Sequence, residues 1–150
     1  MIEIRRATRD DWVTIMELYT AANHEIDTRY GRGVSMALLT DGIEHALSND
    51  DAVFVAWDDQ ALASTPIGVI AWTHTPLCRE GQVVGFGTYV EPEFRRQGVA
   101  SMLRACAAEH CRQKGYKTIE GIAGVANVAG LQSVLSDGFA IVGYLVEKQL

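Results

Sequence analysis

Cysteine is scarce. Cys78, Cys106 and Cys111 are an odd number with no C-x-x-C pair, which excludes a disulfide framework and a zinc ribbon. Three unpaired thiols suit a reducing setting. No apolar run approaches the roughly 18 residues that a membrane span takes, so no membrane partner is expected. The segment from Met1 to Arg6 lacks the apolar core of a secretory leader, and a cytoplasmic location is the expectation. Positive charge is also short: 13 Lys and Arg stand against 19 Asp and Glu, a formal balance of −6. Displacing counterions from a phosphate backbone needs the opposite sign, so a nucleic-acid partner is not expected. An acidic surface favours a cationic partner such as an amine. The nucleotide P-loop pattern G-x-x-x-x-G-K-[ST] is absent, and Gly85-Phe86-Gly87 finds no third glycine at Val90, so a dinucleotide fingerprint fails too.

What is present fits one α/β domain over residues 1–150. Hydrophobic residues make up 48% and charged ones 21%, which argues against disorder. A chain of this size buries roughly 68–70% of its extended surface, enough for a core without metal or disulfides. Ile2-Glu3-Ile4-Arg5 alternates as a half-buried strand does. Thr8-x-x-Asp11 is an aspartate variant of the capping box, and Trp12, Ile15, Met16, Tyr19 and Ala22 come next at helical spacing. Tyr30-Gly31-Arg32-Gly33 breaks that helix, leaving Asn23–Ser35 as a loop. Ser35 opens a second helix striped by Met36, Leu39, Ile43, Ala46 and Leu47. Strands are predicted over Ala52–Trp57, Ile67–Thr73 and Gln82–Val90, with Asp58–Pro66 as a polar hairpin loop. A long helix is predicted over Arg96–Lys114, with Val99, Met102, Leu103, Cys106, Ala107 and His110 inward and Gly115 at its end. A strand over Lys117–Ala123, a helix over Val128–Ser136 and a final extended stretch over Phe139–Lys148 complete a mixed sheet with helices on its faces.

The junction Val90-Glu91-Pro92-Glu93-Phe94-Arg95-Arg96-Gln97-Gly98-Val99-Ala100 carries the chemistry. A strand ends at Val90, Pro92 stops ladder pairing, and a tight turn feeds the start of the long helix. The first turn of a helix has unpaired N–H groups and a positive dipole end, which together attract anions. Gly98 permits a positive φ or close approach of a ligand, Ala100 keeps the next point small, and Arg95 and Arg96 add local positive charge. The ligand group expected here is a phosphate or pyrophosphate.

The pattern V-x-P-x-x-R-x-x-G-x-A resembles the acyl-CoA motif of the GNAT superfamily of N-acyltransferases, with Arg95, Gly98 and Ala100 as its core. Asn127, followed by Gly138-Phe139 eleven and twelve residues on, is similar to the family's N-x(10)-G-F helix and strand, and the element order matches across essentially the whole chain. The resemblance implies a mostly antiparallel mixed sheet of six to seven strands with about four helices, splayed between its fourth and fifth strands. It implies acetyl-CoA as cosubstrate, no metal, and transfer of an acetyl group to a primary amine of a small molecule or peptide. The pantetheine would pair with the main chain at Tyr89 and Val90. The N–H groups of Arg96, Gln97, Gly98, Val99, Ala100 and Ser101 would hold the pyrophosphate, and Asn127 would approach the pantetheine arm. The amine would attack the thioester directly, with a main-chain N–H near Val90 stabilising the oxyanion.

Three departures from the family pattern stand out. Val134 occupies the position seven residues after the helix asparagine where many members carry a tyrosine acid; Ser133, Tyr144 or water would have to substitute. That replacement keeps a second reading open, a non-catalytic acyl-CoA-binding module. A glutamate often found early in the central strand is missing from Val83-Val84-Gly85, which leaves Glu120, alone among apolar neighbours, either as the candidate base, where burial would raise a carboxyl towards a useful pKa, or as an outward-pointing, solvated side chain. Only eleven residues follow Phe139, so acceptor contacts would come from His24, Glu25, Asp27, Arg29 and Tyr30 or from the second copy of a homodimer. Among other residues, Cys106 and His110 read as core rather than metal ligands, Cys78 as a passive thiol, and Trp57 and Trp72 as core. His74 lines the cleft or caps the sheet.

Overall fold

The computed structural model describes residues 1–31, 33–60 and 63–150. Five strands form one sheet in sequence order: β1 (Ile2–Arg6), β2 (Ala52–Gln60), β3 (Ala63–Thr73), β4 (Gln82–Val90) and β5 (Thr118–Glu120). The first four pair antiparallel, and β4 pairs with β5 in parallel. Four α-helices accompany them: α1 (Trp12–Tyr30), α2 (Met36–Ser48), α3 (Val99–Gln113) and α4 (Val128–Ser136). No described helix is long and apolar enough to cross a membrane.

Both faces of the sheet are covered, which is why β2 and β3 read as continuous apolar runs rather than alternating ones. Val53, Val55, Val69 and Ala71 face α1 and α2, where Ile15, Leu18, Tyr19, Leu39 and Ile43 pack on them. Their neighbours Phe54, Ile67, Ile70 and Trp72 point the other way and meet Val99, Leu103, Ala107 and Cys111 of α3. The capping box is present: Thr8 accepts from the Asp10 N–H, and Asp11 accepts from the Thr8 N–H.

Two sheet irregularities set the shape of β4 and of its outer edge. Along β4 the register jumps, Ile70 facing Thr88 while Trp72 faces Gly85, so Phe86 and Gly87 together oppose Ala71. This bulge bends the strand. Gly87 sits at φ +94°, where a side chain is disfavoured, and the Tyr19 hydroxyl donates to its carbonyl at 3.0 Å. Beside β4, β5 pairs through Gln82–Thr118, Val83–Ile119 and Val84–Glu120 and then ends. From Gly85 to Val90 the outer edge of β4 has no strand beside it among the described residues.

Several boundaries differ from the sequence expectation. The sheet has five strands rather than six or seven. Phe139–Lys148 forms no strand; Phe139 packs edge-on against Trp72, and Ile141 to Val146 run largely exposed. A run rich in β-branched residues is a strand only where a partner strand lies beside it. The predicted strand Lys117–Ala123 contracts to three residues ahead of Gly121 and Gly124. α1 continues to Tyr30 and is closed by Gly31 at φ +62°, so Asn23–Tyr30 belong to a helix, not a loop. The hairpin loop shrinks because β2 runs to Gln60 and β3 starts at Ala63; its tip, at residues 61–62, lies outside the described residues. α3 starts at Val99, three residues late, and its inner face carries Arg104 and Cys111 while Met102 is exposed.

Candidate functional site

The mouth of α3 is built by a strand that stops and a helix that starts three residues late. The Glu91 N–H makes the last bond across to β3, to the Ile67 carbonyl at 2.8 Å. Because that bond brackets the facing pair Gly68–Val90, the N–H and C=O of Val90 turn away from β3 towards the open edge. A single 3-10 turn, Pro92–Phe94, reverses the chain. Arg96 and Gly98 then adopt left-handed backbone, φ +61° and +81°. Arg96 is not a glycine, and such a conformation costs of order 1–3 kcal/mol, held only where the surroundings over-determine it. The first helical bond runs from the Met102 N–H to the Gly98 carbonyl at 3.0 Å. Gly98 is the cap residue of α3, which has no side-chain cap, and the N–H groups of residues 97–101 meet no protein acceptor among the described residues. Left-handed backbone beside a helix start gathers such N–H groups into an anion-binding concavity.

The side chains around this concavity divide into two sets. Arg96 is exposed and pairs with no described carboxylate. Gln97 Nε2 donates to the Glu93 carbonyl at 3.2 Å, and the Ser101 hydroxyl donates to Asp137 at 3.0 Å, so both offer a ligand their main chain. Val99 is buried and anchors the turn. Arg95 turns inward: Nε donates to the Val90 carbonyl at 2.8 Å, and Nη1 and Nη2 donate to the two Glu25 oxygens at 2.9 and 2.5 Å. Its guanidinium lies 5.7 Å over the Tyr89 ring, and the Tyr89 hydroxyl donates to Glu91 at 3.2 Å. Burial, with Glu91 beside it, pushes the Tyr89 phenol up to about 12. The hydrogen bonds from Arg95 hold Glu25 below the usual carboxylate range despite partial burial. Val90 therefore keeps its N–H, but not its carbonyl, for a ligand at the edge.

Across the gap, Asn127 caps α4, its Oδ1 accepting from the Gly130 N–H at 3.0 Å, while its Nδ2 has no partner among the described residues. Val134 is half-buried on α4. Ser133 Oγ accepts from Arg104 Nη2 at 2.6 Å, and Tyr144 is 89% exposed. Arg104, only 6% exposed, also donates Nε to Asp137 at 2.5 Å and so ties α4 to α3.

Glu120 faces Val84 in the last pair of the β4–β5 ladder, where the gap begins, with its side chain 52% exposed, accepting from Gln82 Nε2 at 2.9 Å and lying 3.6 Å from Arg79. Of the two readings open for Glu120, a buried base or an outward, solvated side chain, its exposure at the edge of the short β5 fits the second. The opposite pole of the sheet gathers His45, His74, Lys114 and Tyr116 around Asp51. His74 Nδ1 meets the Gln82 carbonyl at 2.7 Å and its ring stacks on Tyr116, which settles His74 as an end cap away from the gap. His110 Nε2 meets the Asp50 carbonyl, and no metal-holding cluster of three or more His, Cys, Asp or Glu occurs among the described residues.

On the α1 face, Asn23, His24 and Asp27 line a cavity of about 330 Å³ with Gly33, Val34 and Met36. Asp27 accepts from the Gly33 N–H, and Asn23 pairs with both main-chain groups of Val34. Two long-range contacts beside the gap escaped sequence reasoning, Glu25–Arg95 and Arg104–Asp137. Each joins residues far apart in the chain, and no local pattern signals such a pair.

The acetyltransferase (GNAT) family model matches residues 12–132. Among solved structures, AAC(6')-Iy in complex with a bisubstrate analogue of CoA and acetylneamine is similar over 100% of this chain and 98% of its own, with 21% identity and a TM-score of 0.71. The protein yncA from Salmonella typhimurium, solved with acetyl-CoA, covers 95% of this chain and 82% of its own at 19% identity and a TM-score of 0.74. An aminoglycoside 6'-N-acetyltransferase from Acinetobacter haemolyticus gives 99% and 97% coverage, 19% identity and 0.68. A search among curated proteins finds no match.

Proposed function

Since the chain belongs to the acetyltransferase (GNAT) family, we propose that it transfers an acetyl group from acetyl-CoA to a primary amine, the two substrates meeting in one ternary complex. The observation that carries this reading is the run of N–H groups at residues 97–101 with no protein acceptor among the described residues, beside the stretch of β4 from Gly85 to Val90 that no described strand pairs. The N–H groups suit a diphosphate, with Arg96 adding charge. The open edge suits a pantetheine arm lying as an extra strand, with Asn127 Nδ2 across from it. The Val90 N–H, turned to that edge, would donate to the oxygen that gains charge as the amine attacks the thioester.

The acceptor would enter from the α1 face, near His24 and Asp27, in a molecule whose acidic balance favours a cationic amine. The leaving group needs no tyrosine acid at Val134: a thiol of pKa near ~8.5 departs as thiolate close to neutrality. Residues 1–150 would act as one such domain in the cytoplasm, where Cys78, Cys106 and Cys111 stay free. A homodimer covering the exposed C-terminal residues belongs to the same reading.

Val134 is the observation that favours a second reading, a CoA-binding module without turnover. Acceptor-dependent release of CoA thiol, screened over amines and peptides, separates the two. Turnover with any acceptor supports transfer; tight acetyl-CoA binding with no turnover across the screen supports the module.

A further inference from the structure

Arg95 links three parts of the molecule with one planar group. Its Nε holds the carbonyl of the last β4 residue, Val90, at 2.8 Å. Both Nη atoms hold Glu25, which lies 70 residues earlier on α1. Its own backbone leads directly into the left-handed Arg96 and Gly98. A bidentate guanidinium–carboxylate pair fixes an orientation as well as a distance, because two parallel bonds set the plane of both groups. Here the third bond, to Val90, extends that plane onto the backbone. The Tyr89 ring closes one face of the guanidinium, and Glu25 is itself only 3.5 Å from Arg29, so neither partner is free to drift. The left-handed Arg96 needs such over-determination, since an isolated chain would relax it.

We propose that Glu25 is a positioning residue for the acyl donor: acting through Arg95, it holds the Val90 carbonyl and the Arg96–Gly98 turn so that the N–H groups of residues 97–101 converge on the diphosphate. This rests on the proposed function, in which those groups receive CoA. Glu25 itself touches no ligand. Without its carboxylate Arg95 loses two of its three anchors, the turn samples other conformations, and affinity falls with the fraction of time the concavity is assembled. A carboxylate on the acceptor-side helix thereby governs the donor site.

The test is CoA affinity measured by titration calorimetry on the full chain, for wild type, E25Q, R95K and the double variant, with E17Q as an exposed control on the same helix. E25Q and R95K are each expected to weaken CoA about tenfold, roughly 1.4 kcal/mol. The double variant is expected to be no weaker than the worse single one, because both remove one coupled device. E17Q binds as wild type. A merely structural pair would lower the melting temperature of the free protein and leave the Kd alone. Should E25Q fail to fold, E25D carries the same test, since a carboxylate drawn back by one methylene cannot engage both Nη atoms. Single variants that bind within twofold of wild type, or losses that simply add, overturn the proposal. A wild-type chain that does not bind CoA overturns the acetyl-CoA assignment instead, a distinct result.

Discussion

Gly98 answers two demands at one atom. Its φ of +81° is a conformation in which any Cβ is penalised, and a Cβ built there would meet nothing of the protein within 4 Å. An added side chain would therefore project into the space left for a ligand rather than into the core. Gly98→Val is expected to fold with a loss of about 1–2 kcal/mol from backbone strain. Its affinity for CoA is expected to fall roughly a hundredfold, about 2.7 kcal/mol, by calorimetry. A Kd within threefold of wild type would remove the diphosphate assignment. Glu120 behaves oppositely. General bases contribute about 10²–10⁴-fold, whereas Glu120→Gln, at an exposed edge and paired with Gln82, is expected to change the acetylation rate less than about threefold. A hundredfold loss would return it to the role its sequence position suggested. At this scale the sequence was informative about backbone and poor about side chains. The glycine, the proline and the strand end at Val90 declare the turn locally, but the inward turn of Arg95 depends on a carboxylate seventy residues away.

Elements were legible where their ends are chemically marked. β4 and α4 have the bounds expected from sequence, Gln82–Val90 and Val128–Ser136, because Gly81, Pro92, Asn127 and Gly138 punctuate them. The last two turns of α1 were missed because they carry no apolar stripe; Arg29 pairs there with Glu25 four residues back, and Arg95 reaches in from outside. The far pole of the sheet shows the same dependence on distant partners. Asp51, its side chain 1% exposed, immediately precedes β2 and accepts from Lys114 and Tyr116 at one oxygen and from Thr73 and the His74 N–H at the other. Burial alone would push this carboxyl up, but the hydrogen bonds from Lys114 and Thr73 outweigh it and hold the pKa below the ordinary aspartate value. Asp51→Asn is expected to cost about 2–4 kcal/mol in urea unfolding, since it leaves Lys114 without its buried partner. The sign with pH comes from the lowered pKa. The wild-type advantage is full above about pH 5, where even the unfolded aspartate is ionised, and shrinks as pH falls through the folded value. An advantage that grew on acidification would contradict this assignment.

For the molecule as a whole, the question is where the folded body ends. The sheet is closed on both faces by helices, yet its last strand is three residues long and the chain beyond Phe139 lies open. Phe139 is half-buried against the α3-side core and meets Trp72 edge-on at 6.3 Å, whereas Val142, Leu145 and Val146 are nearly as exposed as in an extended chain. The boundary of cooperative structure therefore falls just after Phe139. Removing residues 141–150 is expected to move the melting temperature by no more than about 2 °C, the range of a surface change. Phe139→Ala is expected to cost about 2 kcal/mol, or roughly 6 °C, because it empties a site between α3 and Trp72. Contiguous exposed apolar residues also favour association, so the full chain is expected to show concentration-dependent mass in sedimentation equilibrium that the truncated chain loses. If truncation instead destabilised the monomer as much as Phe139→Ala, the C-terminal residues would be part of the core in solution, paired along the free edge of β5, and the sheet would have six strands, within the six to seven that the family resemblance implies.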